Sequence, residues 1–197
     1  MWLVVGLGNP GPEYQGHRHN LGFLVVDELS RRSKAGPWRA KMGAELGEAT
    51  LQGQRLILCK PMEFMNLSGQ AVARVAAFWK IAVEQTVVVH DELDLPFGRL
   101  KLGSGGGAGG HNGVRSLLSC LGSPDFNRVR AGVSRPPAPV DPADWVLSNF
   151  SRSERAELPA FVDRTADAVV EIVTRGLTAA CNKFNTRPKR KTAGDDA

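Results

Sequence analysis

Residues 86–89, Thr-Val-Val-Val, limit most sharply what this chain can become. Four consecutive β-branched residues with no polar alternation fit a strand covered on both faces, and such strands lie in the middle of a sheet with helices above and below. Trp2–Val5 repeats the pattern and is stopped by Gly6. Segments of helical period follow these runs. Leu21, Leu24, Val25 and Leu29 mark a helix over about 20–32 with Asn20 as N-cap, and Val72, Val75, Ala76 and Trp79 mark a second behind Asn66-Leu-Ser-Gly. Val114, Leu117, Leu118 and Leu121 mark a third, capped by Gly122. Ser151-x-x-Glu154 is a capping box for a long last helix carrying Leu158, Phe161, Val162, Thr165, Val169, Ile172 and Val173, in which Pro159 is either a kink or the first turn.

Further strands are expected at 44–50 and 55–60, joined as a hairpin through Gln52-Gly53-Gln54, and at 99–102. A last one around 128–134 turns Arg128, Arg130 and Ser134 to water and Val129, Ala131 and Val133 to the core. Strands interleaved with helices, one pair of them a hairpin, predict an α/β fold: a single-domain mixed β-sheet flanked by helices on both faces. Residues 1–185 are read as that domain, and 186–197, with Arg187-Pro-Lys-Arg-Lys, as a disordered basic tail.

Hydrophobic residues at 42% and charged residues at 23% exclude collagen-like, mucin-like and disordered classes. The formal charge of +5 permits a polyanionic partner without requiring one. Its distribution is uneven. Residues 1–94 balance ten basic against ten acidic side chains, whereas 95–140 holds Arg99, Lys101, Arg115, Arg128, Arg130 and Arg135 against Asp125 alone. Cys59, Cys120 and Cys181 are far apart and form no CxxC pattern, so reduced thiols are expected. The N-terminus lacks the basic and long apolar regions of a secretion signal, and no apolar run approaches the roughly 18 residues of a spanning helix. A cytoplasmic location without membrane contact is the expectation.

Gly6-Leu-Gly8-Asn-Pro-Gly11 is formally a GxGxxG sequence after a strand, but a dinucleotide site needs its helix to start within the glycine turn. Pro10, Pro12 and Gly16 delay the helix here, so no nucleotide cofactor is expected. The Gly103–Gly110 run lacks the Lys-Ser/Thr of a P-loop. Its glycines serve either a backbone that needs positive φ or a flexible rim beside Gly110-His111-Asn112-Gly113. His17, His19, His90 and His111 all fall at loops or element ends, next to Asp91, Asn9, Asn20 and Asn112, as in a site at one edge of a sheet. His17-x-His19 could hold a metal with Asp91 or His111, but the neighbouring amides are poor ligands and no second pair has metal spacing; a metal-free site is the reading.

With no GxSxG elbow and no cysteine beside a histidine, direct attack by water replaces covalent transfer. His19 with Asp91 is the pair chosen: a carboxylate on one imidazole nitrogen lets the other take a proton from water. Side-chain amides of Asn9, Asn66 and Asn112 could then donate to a carbonyl oxygen.

Five blocks carry a resemblance. Gly6-Leu-Gly-Asn9-Pro-Gly-x-x-Tyr14, Arg18-His19-Asn20-x-Gly22, Lys60-Pro-x-x-Phe-Met65-Asn66-x-Ser-Gly69, His90-Asp91-Glu-Leu-Asp94-Leu-Pro and Gly109-Gly-His111-Asn112-Gly113 closely resemble the bacterial peptidyl-tRNA hydrolase family, in family order. The resemblance implies a single-domain, monomeric, metal-free α/β enzyme that cleaves the ester between a peptide and the terminal ribose of tRNA. It implies His19 as general base, Asp91 as its partner and Asn9 as the residue that tells a blocked amino group from a free one. It also implies a substrate groove lined by Tyr14, Phe64, Asn66, His111 and Asn112. His17 stands where Thr or Ser is expected, and Glu63 where Thr is usual. A basic residue meeting tRNA phosphate is expected at Gly103, so Lys101 or Arg130 takes that part. The alternative from another class is a non-catalytic RNA-binding or RNA-processing protein on the same fold.

Overall fold

The computed structural model describes residues 1–185; the tail expected over 186–197 lies outside them. Seven strands make one mixed sheet in the order β2-β3-β4-β1-β5-β7-β6, where β1 is Trp2–Gly6, β2 Arg39–Lys41, β3 Ala44–Leu51, β4 Gln54–Pro61, β5 Thr86–Glu92, β6 Leu100–Ser104 and β7 Asn127–Gly132. The centre, β4-β1-β5-β7, is parallel, and β2, β3 and β6 join antiparallel at the two sides. The two apolar runs are neighbours there, in register from Leu3 against Thr86 to Gly6 against Val89.

Alternate residues of these strands feed two cores. Val4, Val87, Val89, Val129 and Ala131 pack with α1 (Leu21–Ser33) and α5 (Arg152–Arg175), while Leu3, Val5 and Val88 pack with α2 (Ser68–Trp79) and α3 (Asn112–Leu121). Each such side chain, fully buried, stabilises the fold by about 1.5–3 kcal/mol, so helices on both faces are a requirement of these strands.

The hairpin turn holds Gln52 and Gly53 at φ 48° and 80°, the two positive values of a type I′ turn. α5 opens with the reciprocal Ser151–Glu154 capping box and runs through Pro159, which therefore is not its first turn. It stops at Gly176, and a separate helix α6 (Leu177–Phe184) follows. Three strands or α-helices fall outside the expectations: β2, the helix α4 (Pro142–Val146), and α6, which follows what was expected to be the last helix. Asp141 caps α4 by accepting from the Ala143 N–H, with Pro142 in the first turn, a signal that was present in the sequence.

Asn20 does not cap α1 with its side chain; its amide makes a two-way pair with the Asn9 backbone (3.0 and 2.9 Å). The outer edge of β6 is covered at Leu102, whose N–H donates to Asn185 Oδ1 (2.7 Å) and whose carbonyl accepts from Asn185 Nδ2 (3.0 Å). No helix among the described residues is long and apolar enough to cross a membrane.

What positions the site is the approach of α1 to the ends of β1 and β5. A Cβ on Gly6 would lie 2.1 Å from the Gly22 carbonyl oxygen, and one on Gly22 would lie 2.4 Å from the Leu7 nitrogen and 2.6 Å from the Val89 carbonyl oxygen. Only glycine at both positions lets the helix start, and the 3₁₀ turn Arg18–Asn20 before it, sit against the strand that carries Asp91.

Candidate active site

A cavity of about 990 Å³ opens at the C-terminal ends of β1 and β5, the edge at which parallel α/β sheets bind ligands. The loop after β1 contributes Asn9 and Tyr14, the turn before α1 His19, the link from β4 to α2 Phe64, Met65 and Asn66, β5 Asp91, the approach to α3 His111 and Asn112, and α4 one wall.

His19 and Asp91 are both buried, and Nδ1 of the ring lies 2.9 Å from each carboxylate oxygen. The carboxylate keeps the proton on Nδ1 and leaves Nε2 as the basic nitrogen. Burial by itself pushes the imidazole pKa down, but the charge and hydrogen bond of Asp91 more than offset it, and His19 titrates above its ordinary value. For Asp91, burial favours protonation, yet His19 and His111 hold the group well below the usual carboxylate range.

His111 is turned onto the same carboxylate. Its Nδ1 accepts from the Val114 N–H (3.3 Å), which places the ring proton on Nε2 to donate to Asp91 Oδ1 (2.9 Å). His111 thus lines the cavity with its nitrogens already engaged, and Asp91 is braced from two sides. His90 stacks edge-on to His111, with centroids 4.8 Å apart, and its Nδ1 contacts the Asp91 carbonyl oxygen (2.7 Å). Burial first, and His111 next, pushes its pKa down to about 3, so it is neutral while His19 titrates.

Asn9 is oriented by the backbone. Its Oδ1 accepts from the Met65 N–H (2.8 Å), which leaves the two Nδ2 hydrogens as the end available to donate into the cavity. Tyr14, Phe64 (57% exposed), Asn66 and Asn112 also line it. Asn112 Oδ1 accepts from Arg115 Nη1 (2.8 Å), which likewise aims its amide N–H groups away from Arg115.

The pair His17-x-His19 does not converge: His17 packs edge-on to Tyr14, 5.5 Å between centroids, away from Asp91. The group able to reach a metal among the described residues is His19, Asp91 and His111, whose ligand atoms lie within 4.8 Å of one another, with Asp91 Oδ1 accepting from both rings. The cysteines are absent from the cavity lining.

Lys101 and Arg130 face each other across β6 and β7, outside the cavity. Lys101 is exposed, and Arg130 lies 3.9 Å from Glu92. Arg128 overturns one expectation. Read as facing water, it is 2% exposed, and its guanidinium donates to the carbonyl oxygens of Gly106 and Gly107, 2.7 Å each. The glycine-rich run has folded back over it with Gly105, Gly106, Gly109 and Gly110 at positive φ, so the arginine finds backbone acceptors instead of solvent. A side chain at Gly103 would meet open space, so the missing basic residue there is not a steric exclusion.

A family model described as peptidyl-tRNA hydrolase matches residues 3–193. The chain belongs to the peptidyl-tRNA hydrolase family. Peptidyl-tRNA hydrolases of Frankia alni and Mycolicibacterium smegmatis are 50% and 51% identical to it, over 93% and 91% of this chain and 93% and 95% of theirs. The crystal structure of peptidyl-tRNA hydrolase from Acinetobacter baumannii matches with a TM-score of 0.88 at 34% identity, covering 94% of this chain and 95% of that one. All five blocks of the peptidyl-tRNA hydrolase resemblance contribute to the cavity lining. Arg18 and Arg128 are the residues around it whose burial the sequence did not disclose.

Proposed function

We propose that the chain hydrolyses the ester between peptide and tRNA in peptidyl-tRNA, with a water activated by His19 and no covalent intermediate. The observation that carries this is the buried His19–Asp91 pair opening on a cavity in which the Asn9 amide is oriented by the Met65 N–H. His19 Nε2 takes a proton from water as its oxygen attacks the ester carbonyl carbon. Asp91 stabilises the resulting imidazolium, as a buried aspartate does in hydrolytic triads. Negative charge gathers on the carbonyl oxygen, and side-chain amide N–H groups of the cavity supply donors for it. The C–O bond to the ribose then breaks, the leaving oxygen takes the proton back from His19, and free tRNA and a peptide carboxylic acid result, the acid giving its remaining proton to solvent. Asn9 is assigned the reading of the blocked amino group, Tyr14, Phe64, Asn66 and Asn112 the groove, and Lys101 and Arg130 contacts to tRNA phosphate. No cofactor has a step in this scheme, and the proposed form is a cytoplasmic monomer.

His19→Ala is expected to lower the rate of peptide release by about 10²–10⁴, the usual worth of a general base. Release at the wild-type rate by the purified variant would remove His19 from the mechanism. An inactive wild-type chain that still binds tRNA would favour the binding-protein alternative.

A further inference from the structure

Arg18 precedes His19 in the same 3₁₀ turn, and its side chain is 2% exposed. Nη1 donates to Asn149 O (2.6 Å), Ser148 Oγ (2.7 Å) and Ser148 O (3.3 Å), and Nη2 donates to Glu154 Oε2 (2.7 Å). The guanidinium carbon lies 3.7 Å over the Trp145 ring. All of these partners belong to one stretch, 145–154, that runs from the end of α4 to the N-terminal cap of α5.

That stretch carries a wall of the cavity. Pro142, Ala143, Val146 and Leu147 face the same space as His19. Residues 142–144 are exposed, so α4 depends on few attachments to the body of the protein. Two of them run through Trp145: its ring lies under Arg18, and its indole N–H donates to Ser134 O (2.9 Å). The Arg18 N–H adds a bond to Ser148 O (3.1 Å), and His17 forms a β-bridge with Asn149. Glu154 Oε2 is shared between Arg18 and the Ser151 N–H (2.6 Å), tying the start of α5 to the same point.

We propose that Arg18 is a positioning residue for the hydrolysis: its guanidinium sets the distance between His19 and the α4 wall, so that a substrate resting on α4 presents its ester carbonyl to His19. The proposal rests on the reading of His19 as the base. Lysine at this position would keep the charge for Glu154 but cannot serve several carbonyl acceptors, a carboxylate and a stacked ring together.

The test compares Arg18→Lys, Glu154→Gln and His19→Ala with wild type, by thermal unfolding and by steady-state kinetics on peptidyl-tRNA. Arg18→Lys is expected to stay folded at the assay temperature and to lose about ten- to a hundredfold in kcat, as a small misplacement of reacting groups does. KM should rise severalfold, with the acid limb of the kcat/KM profile unmoved. Glu154→Gln, which can still cap Ser151, should shift both constants the same way by less. Arg18→Lys with kcat and KM within twofold of wild type would overturn the proposal, as would a loss that merely tracks the unfolded fraction. An active His19→Ala would overturn the reading of the base; an inactive one beside a wild-type-like Arg18→Lys would overturn only the role of Arg18.

Discussion

His19 owes its basicity to a single carboxylate acting against burial. Asp91→Asn keeps the shape and removes the charge, so two effects are expected together. The maximal rate should fall by roughly 10²–10⁴, because the imidazolium loses its stabilising partner. The acid limb of kcat/KM should also move to lower pH, from above the ordinary histidine value of about 6.5 towards or below it, because the influence that remains is desolvation. A limb that stays in place while the rate falls would show that Asp91 orients the ring without tuning it. Much of this centre was legible, since four histidines at turn positions beside an aspartate and asparagines already suggested one assembled site. What was not legible depends on atoms rather than residue types. His111 is committed to Asp91 because the Val114 N–H claims its other nitrogen, and Arg18 and Arg128 are buried because distant carbonyls and one carboxylate receive them.

Elements were readable where a period is sustained. α1 lies close to its expected place because its apolar residues repeat along one face, and β5, the hairpin and the start of α5 because an unbroken β-branched run, a Gln-Gly-Gln turn and a Ser-x-x-Glu box mark them. β2, with three residues, and α4, with five, are too short for a period; the first exists only because β3 offers it an edge. At this scale the glycine contact between α1 and the sheet is decisive. Gly22→Ala would put a methyl 2.4–2.6 Å from three backbone atoms, which are far less yielding than a flexible side-chain end. The helix must retreat, at an overpacking cost of about 1–3 kcal/mol, and the His19 turn retreats with it. Urea unfolding should show that loss, and activity measured well below the transition should fall as well. A Gly22→Ala protein of unchanged stability and rate would mean that the contact relaxes without moving the site.

Across the whole molecule, the basic window at 95–140 does not form one surface. Arg128 is spent on the glycine-rich loop, Arg135 pairs with Asp94 at 2.6 Å, and Arg115 holds Asn112, whereas Lys101 is exposed opposite Arg130. A count along the sequence therefore overstated the positive charge available to an RNA. Lys101→Ala and Arg130→Ala should each weaken tRNA binding and reduce the magnitude of the salt slope, d log K/d log[salt], by about 0.7–0.9, the release of one phosphate's counterion. Binding titrations at several salt concentrations check this, and a double variant with an unchanged slope would move the docking surface elsewhere.

A sheet that ends in an open strand is a template on which other chains can grow. At β6 the Asn185 amide already supplies the donor and acceptor that an added strand would bring to Leu102, and at the opposite end β2 offers three exposed residues, two of them Arg39 and Lys41. Neither margin is a seed for edge-to-edge growth: one is occupied by the chain's own side chain, and the other is too short and too strongly charged to hold a second copy in register.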